Sequence, residues 1–150
     1  MNNETIRIGQ LEIRFVLESP DTRGSVAMFE LTVPAGARVP APHSHAHYDE
    51  TLYGLEGVIT FIVEGRAVNV GPGESCFIRR GEVHGFKNPG TATAKALAVV
   101  TPALIGPEYF RDVAALVNAG GAPDPDTMRE IMLRHGLVPA PMEALTAKPS

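Results

Sequence analysis

Turn-forming residues interrupt this chain at short intervals from its start to about residue 101, and this feature most constrains its fold. There are 15 glycines and 13 prolines among 150 residues, well above the average of about 12% for the two residue types together. The segments between them are short and apolar, with period-2 alternation in places, which favours strands. The predicted strands are 5–18 (loosely alternating), 26–33, 52–55, 58–63, 66–70, 74–78, 84–87 and 94–100.

About nine or ten short strands separated by Gly/Pro turns predict an all-β sandwich or barrel. After Thr101 the pattern changes, because Pro107 and Pro125 open two segments with helical apolar spacing that end near Gly120 and Gly136. We therefore expect a single domain over 1–150, with a barrel over about 5–101, a helical extension over about 106–136 and a mobile tail over 139–150. The pattern leaves open whether the helices cover a barrel mouth or pack outside it.

Charge and composition exclude several classes of partner. The net charge is −4, and the three lysines with one Arg79-Arg80 pair make too small a basic patch for nucleic acid. Apolar runs fall far short of the ~20 residues of a membrane span, and residues 1–5 do not resemble a signal peptide. The lone Cys76 is expected to be a buried small side chain. We expect a cytoplasmic protein without membrane or nucleic-acid partners.

Four of the five histidines lie in two short segments. In an extended chain His43 and His45 project to one face, and Glu50 follows after a bend. His84 lies in the second segment. Three imidazole nitrogens and one carboxylate oxygen suit one divalent transition ion, with Fe, Mn, Ni, Cu, Co and Zn all acceptable. The fifth histidine, His135, is expected to cap or pack at a helix end.

The spacing of these residues resembles that of the cupin superfamily. The first motif reads Gly36, His43-Ser44-His45, four residues, Glu50, six residues, Gly57, with one residue more than usual before His43. The second reads Gly73, five residues, Arg79-Arg80-Gly81, two residues, His84, three residues, Asn88, and only Arg79 departs from its usual proline. The resemblance implies a double-stranded β-helix jelly roll with a metal bound inside by His43, His45, Glu50 and His84. The chain resembles small bacterial cupins, including quercetin-dioxygenase-like ones.

The first motif has a rival register, since His45-Ala46-His47 is also His-x-His. Only two residues then precede Glu50, so the spacing favours His43 and His45. His47 becomes either a contact near the substrate or a solvated loop residue.

A metal in an apolar barrel suggests a dioxygenase-like enzyme, similar to quercetinase, acting on a small enol, phenol or ketone. Glu50 is the candidate catalytic base. The alternatives are a non-oxidative isomerase or lyase and a non-catalytic metal- or small-molecule-binding protein. The candidate pocket residues are His47, Tyr48, Leu52, Tyr53, Phe61, Phe77 and Phe86. The resemblance also implies a homodimer, for which residues 5–18 supply a candidate edge.

Overall fold

Two antiparallel sheets face each other in the computed structural model, which describes residues 4–148. The strands are β1 Thr5–Ile8, β2 Leu11–Leu17, β3 Ala27–Val33, β4 His43–His45, β5 Asp49–Glu56, β6 Ile59–Val63, β7 Arg66–Val70, β8 Ser75–Ile78, β9 His84–Lys87, β10 Ala94–Thr101 and β11 Leu137–Pro139. The six-stranded sheet has the order β1-β2-β3-β10-β5-β8 and the five-stranded sheet the order β11-β4-β9-β6-β7. The predicted jelly-roll class is confirmed.

The core lies between the sheets because alternate residues of each strand point inward. In β2 and β3, Leu11, Ile13 and Phe15 are buried, as are Phe29 and Leu31, while the residues between them are partly exposed. The two strands pair in register, Phe15 opposite Phe29, so their rings meet at 5.1 Å between centroids. Burial of each such side chain stabilises the fold by about 2 kcal/mol.

Glycines at the motif corners take left-handed backbone conformations. Gly36, Gly57, Gly73 and Gly81 have φ between 59° and 86°, a region that side chains with a Cβ adopt only with strain. The Glu64-Gly65 turn of the β6–β7 hairpin likewise has positive φ at both residues, as a tight two-residue hairpin turn requires. The turns at the four motif glycines carry the chain from one sheet to the other, whereas the Glu64-Gly65 turn joins two neighbouring strands of the five-stranded sheet.

A single helical turn, α1 Ser19–Thr22, lies between the predicted strand regions 5–18 and 26–33, and the C-terminal region contains two longer helices, α2 Pro107–Val117 and α3 Pro125–Arg134. Proline lies in the first turn of each longer helix, and the Asp124 side chain accepts a hydrogen bond from Thr127 N at the start of α3. At the end of α3, His135 Nε2 lies 3.0 Å from Asp112 Oδ2 of α2, which joins the two helices. No helix within residues 4–148 combines the length and apolar character that a bilayer crossing requires.

The segment expected to be a mobile tail packs on the barrel. Strand β11 pairs with β4, and a 3₁₀ helix, Met142–Leu145, follows it. A Cβ added to Gly85 would lie 2.1 Å from the Leu145 side chain, so these two residues are in close contact. Lys148 N also donates to Gly65 O at 2.7 Å. Residues 139–148 therefore contact the barrel in this structure, the mobility of the tail stays a prediction, and residues 149 and 150 lie outside the described part.

Candidate metal centre

Three histidines meet because two short strands of the five-stranded sheet lie side by side. His43 and His45 share one face of β4, and His43 is directly opposite His84 on β9. The ring centroids of the three lie 4.5–5.1 Å apart, and one nitrogen of each falls within 4.8 Å of the others. Two donors bound at about 2.1 Å to one ion are at most about 4.2 Å apart, so the cluster is close to the spacing of a metal site.

Backbone carbonyls set the protonation of two of these rings. His43 Nδ1 donates to Ala41 O and His84 Nδ1 donates to Glu82 O, each at 3.0 Å. A neutral imidazole that donates through Nδ1 keeps a free electron pair on Nε2, which is the form that binds a metal. The donor set therefore fits a divalent transition ion.

The electrostatics of the cluster favour neutral rings. Burial, together with the neighbouring His84, lowers the pKa of His43 to about 3. Burial, with His84 and His43 nearby, lowers the pKa of His45 to about 2, and burial also lowers the pKa of His84. Metal binding needs deprotonated imidazole, so no proton has to leave these rings at neutral pH.

Glu50 reaches the cluster from the opposite sheet. It lies on β5, and its Oε1 is 3.8 Å from His84 Nε2 and 4.0 Å from His45 Nε2. Both distances lie within the limit for two donors sharing an ion, although the three-nitrogen cluster is complete without it. Burial raises the pKa of Glu50 to about 7, while a bound cation would lower it. Its place as a fourth ligand stays a prediction.

The remaining motif residues hold the two segments in place. Gly81 N donates to His45 O at 2.8 Å, and Arg80 forms a two-oxygen ion pair with Asp49, next to Glu50. Asn88 is buried, and its Nδ2 donates to both Val33 O and Ala92 O. Through Gly81 and Arg80, the turn before His84 is bonded to β4 and to β5, the two strands of the first motif.

The cluster lies at the wall of a cavity of about 80 Å³ between the sheets. Tyr48, Leu52, Phe61 and Phe86, all expected in the pocket, line it. Helix α2 adds Tyr109, Phe110 and Val113, so this helix does cover the cavity. The other lining residues are Ile8, Leu11, Ile13, Phe29, Leu31, Pro40, Ala41, His43, His45, Glu50, His84, Gly85, Val100, Ile105 and Leu137.

Three expected pocket residues lie elsewhere, which corrects their predicted placement. Tyr53 and Phe77 are 45% and 54% exposed. Their strands place Leu52 opposite Cys76 on the inner face, and alternation turns Tyr53 and Phe77 outward. His47 is exposed and lies outside both the cavity lining and the histidine cluster.

Sequence reasoning did not place the residues of α2 and β11 in the cavity. The apolar stripe of α2 was recognisable as a helix face, with Phe110 and Val113 at helical spacing. Nothing local indicated which face of the barrel this stripe would cover. Leu137 gave no signal, because its strand has only three residues.

Tyr48 is buried without a hydrogen-bond partner. Its ring stacks on His45 with centroids 4.3 Å apart and an interplanar angle of 20°. Burial, with Glu50 and Tyr109 nearby, raises the pKa of the Tyr48 hydroxyl, which therefore stays protonated at neutral pH. A buried polar atom left unpaired costs about 1–3 kcal/mol.

Comparisons with known proteins identify one matching family model and two similar proteins. A family model described as a cupin domain matches residues 29–100. The chain is similar to quercetin 2,3-dioxygenase of Bacillus subtilis (strain 168), with 30% identity over 98 residues, which is 65% of this chain and 28% of that protein. It is also similar to the tetracenomycin polyketide synthase protein TcmJ of Streptomyces glaucescens, with 30% identity over 82 residues, 54% of this chain and 55% of that protein. The match thus spans under two thirds of either relative.

Solved structures share the fold. The polyketide cyclase RemF from Streptomyces resistomycificus has 26% identity and a TM-score of 0.55, covering 74% of this chain and 92% of that one. A predicted oxalate decarboxylase from Thermotoga maritima has 24% identity and a TM-score of 0.60, covering 68% of this chain and 93% of that one. The second likeness concerns the fold alone.

Proposed function

Because this chain belongs to the cupin superfamily, we propose that it is a metal-dependent, dioxygenase-like enzyme for a small, uncharged enol, phenol or ketone. One observation carries the proposal. The cavity is apolar except where His43, His45, His84, Glu50 and two tyrosines face it. A divalent transition ion held by the three histidines would supply Lewis-acid and redox chemistry at this place.

The cavity lining argues against a charged substrate. Within the described residues, no lysine or arginine lines the cavity, and a carboxylate or phosphate buried there would have no side-chain cation to pair with. Aromatic side chains supply much of the wall instead, including Phe29, Phe61, Phe86 and Phe110. A ring-containing neutral molecule with a few oxygen atoms fits this lining.

In this proposal, Glu50 moves the substrate's proton. As a carboxylate it accepts the O–H proton of the enol, which raises the electron density of the carbon–carbon double bond. In the oxidative reaction that double bond is cleaved and dioxygen takes four electrons from it. Both oxygen atoms enter the products, one as a ketone oxygen and one in a carboxyl group, to which Glu50 returns the proton. The substrate is the only reductant.

Oxygen consumption tests this proposal. Protein reconstituted separately with Fe, Mn, Ni, Cu, Co and Zn is given 3-hydroxyflavone or 2-acetyl-1-naphthol in an oxygen electrode. We expect substrate-dependent uptake, one O₂ per product molecule, with at least one redox-active metal, and a large loss in Glu50→Gln. No uptake with any metal would contradict the oxidative function.

A non-oxidative cyclase is the second candidate, favoured by the similarity to RemF over 74% of this chain. Here Glu50 takes a proton from the carbon beside a ketone, and the resulting enolate carbon attacks a second carbonyl. A new carbon–carbon bond forms, the proton goes to the alkoxide oxygen, and no oxidant is consumed. Zinc-loaded protein under nitrogen should then convert a linear triketone to a cyclic isomer of the same mass, detected by liquid chromatography and NMR. Conversion under nitrogen without oxygen uptake would favour this reaction, and binding without either would indicate a non-catalytic role.

A further inference from the structure

Two buried polar atoms beside the histidine cluster lack a hydrogen-bond partner. Within residues 4–148, the buried side-chain polar atoms that lack a hydrogen-bond partner are His45 Nδ1 and the Tyr48 hydroxyl. Both belong to the same stacked ring pair. Tyr48 is 1% exposed and lines the cavity beside the histidine cluster.

Packing alone does not account for the Tyr48 oxygen. A phenylalanine would supply the same ring for the stack on His45, and buried tyrosines ordinarily place their hydroxyl on a partner. Elsewhere in the described core, buried polar groups are paired: Thr60 Oγ1 donates to Asn69 Oδ1 at 2.7 Å, and Asn88 makes several bonds. Because Tyr48 lines the cavity, a ligand bound there can supply the partner that its hydroxyl lacks.

The surroundings of the hydroxyl define that partner. A protonated phenol needs an acceptor, and a carboxylate or phosphate is an unfavourable one here because no lysine or arginine of the described residues lines the cavity. Because the Tyr48 ring stacks on His45, an acceptor bound at its hydroxyl would be near a substrate oxygen that faced the histidines. Two neighbouring oxygens, one in an enol or phenol and one in a ketone, meet both requirements.

We infer that Tyr48 is a specificity-determining residue that donates a hydrogen bond to a ketone oxygen next to the enol oxygen of the substrate. This inference rests on the proposed function, since it assumes that the cavity binds such a substrate. It narrows the substrate class to hydroxy-ketones in preference to simple phenols.

Binding measured without turnover tests the inference. The zinc-loaded protein is titrated under nitrogen with 2-acetyl-1-naphthol and with 1-naphthol, which lacks the ketone, by calorimetry. Tyr48→Phe removes the oxygen and keeps the ring. Since one buried hydrogen bond is involved, we expect this variant to bind 2-acetyl-1-naphthol roughly 3–10-fold more weakly and 1-naphthol within twofold of the parent protein. Zinc content and thermal unfolding are measured alongside.

Tyr53→Phe is the matched control, because it is the same substitution on the outer face of the neighbouring strand. It should leave both dissociation constants unchanged. Equal weakening of both naphthols, loss of zinc in Tyr48→Phe, unchanged binding of 2-acetyl-1-naphthol, or failure of the parent protein to bind it would overturn the inference. A protein that shows neither oxygen uptake nor cyclisation but retains the selective effect of Tyr48→Phe would reject the proposed function and support this contact.

Discussion

At the scale of single residues, His47 serves as an internal control for the histidine cluster. His43, His45 and His84 point nitrogens at one another, whereas His47 is exposed. We expect His84→Ala to lower metal affinity at least tenfold, because a three-donor site loses one donor, and His47→Ala to leave it unchanged. Elemental analysis and calorimetric titration of the purified variants measure both. Metal loss in His47→Ala with retention in His43→Ala would show that the alternative register operates.

The buried carboxyl of Glu50 makes the stability of the metal-free protein depend on pH. Its folded pKa of about 7 lies above the ordinary 4.5, so folding favours the protonated form. That contribution is complete below the unfolded pKa and is lost as the pH rises through 7. The three clustered histidines act in the opposite direction, because burial lowers their folded pKa values and stability rises as the unfolded imidazoles lose their protons around pH 6.5. Since Glu50→Gln keeps these histidines, a comparison with this variant isolates the contribution of Glu50.

We therefore expect the unfolding free energy of the chelator-treated parent protein to fall by on the order of 1 kcal/mol relative to that of Glu50→Gln between pH 6.5 and 8. Urea unfolding of both proteins at several pH values measures this difference. The same pH dependence in both proteins would show that Glu50 does not contribute.

At the scale of elements, the three-residue strand β11 connects the helical extension to the metal-bearing strand. Leu137 is opposite His45 in the pairing of β11 with β4 and is 1% exposed, while Val138 is 46% exposed. We expect Leu137→Ala to lower the free energy of unfolding by about 3 kcal/mol, because it opens a space in the core. Val138→Ala should change it by less than about 0.5 kcal/mol. Chemical denaturation compares the two, and equal small effects would mean that β11 contributes little to the folded barrel.

Elements differ in how far the sequence predicts them. The histidines were predictable because each motif spans one short segment whose spacing determines which side chains share a face. The placement of Phe77 and Tyr53 was not, since a strand with apolar residues on both faces does not reveal which face is inside. Strand β11 escaped prediction because three residues carry no periodicity and its partner β4 lies about 90 residues earlier.

At the scale of the whole molecule, the two edges of the six-stranded sheet are the candidate sites for self-assembly. Strand β1 lies at one edge of the six-stranded sheet and β8 at the other. We expect a homodimer through the edge formed within residues 5–18, since an unpaired edge accepts another strand. Light scattering should then give twice the chain mass of 16.0 kDa.

Phe77→Asp separates the two edges, because Phe77 lies on β8 and is largely exposed. This variant should remain dimeric if β1 is the interface. A monomeric Phe77→Asp would move the interface to the β8 edge, and a monomeric parent protein would contradict the dimer altogether.

The pairing of β4 with β11 also determines which segments are needed to transfer the histidine cluster to another protein. The family match ends at residue 100, yet the strand that carries two of the three clustered histidines is bordered on one side by a strand from residues 137–139. A chimera that joined residues 29–100 to a foreign C-terminal region would expose that border and remove the aromatic side chains of α2 from the cavity. Grafting this centre onto another scaffold therefore requires both segments to be transplanted together.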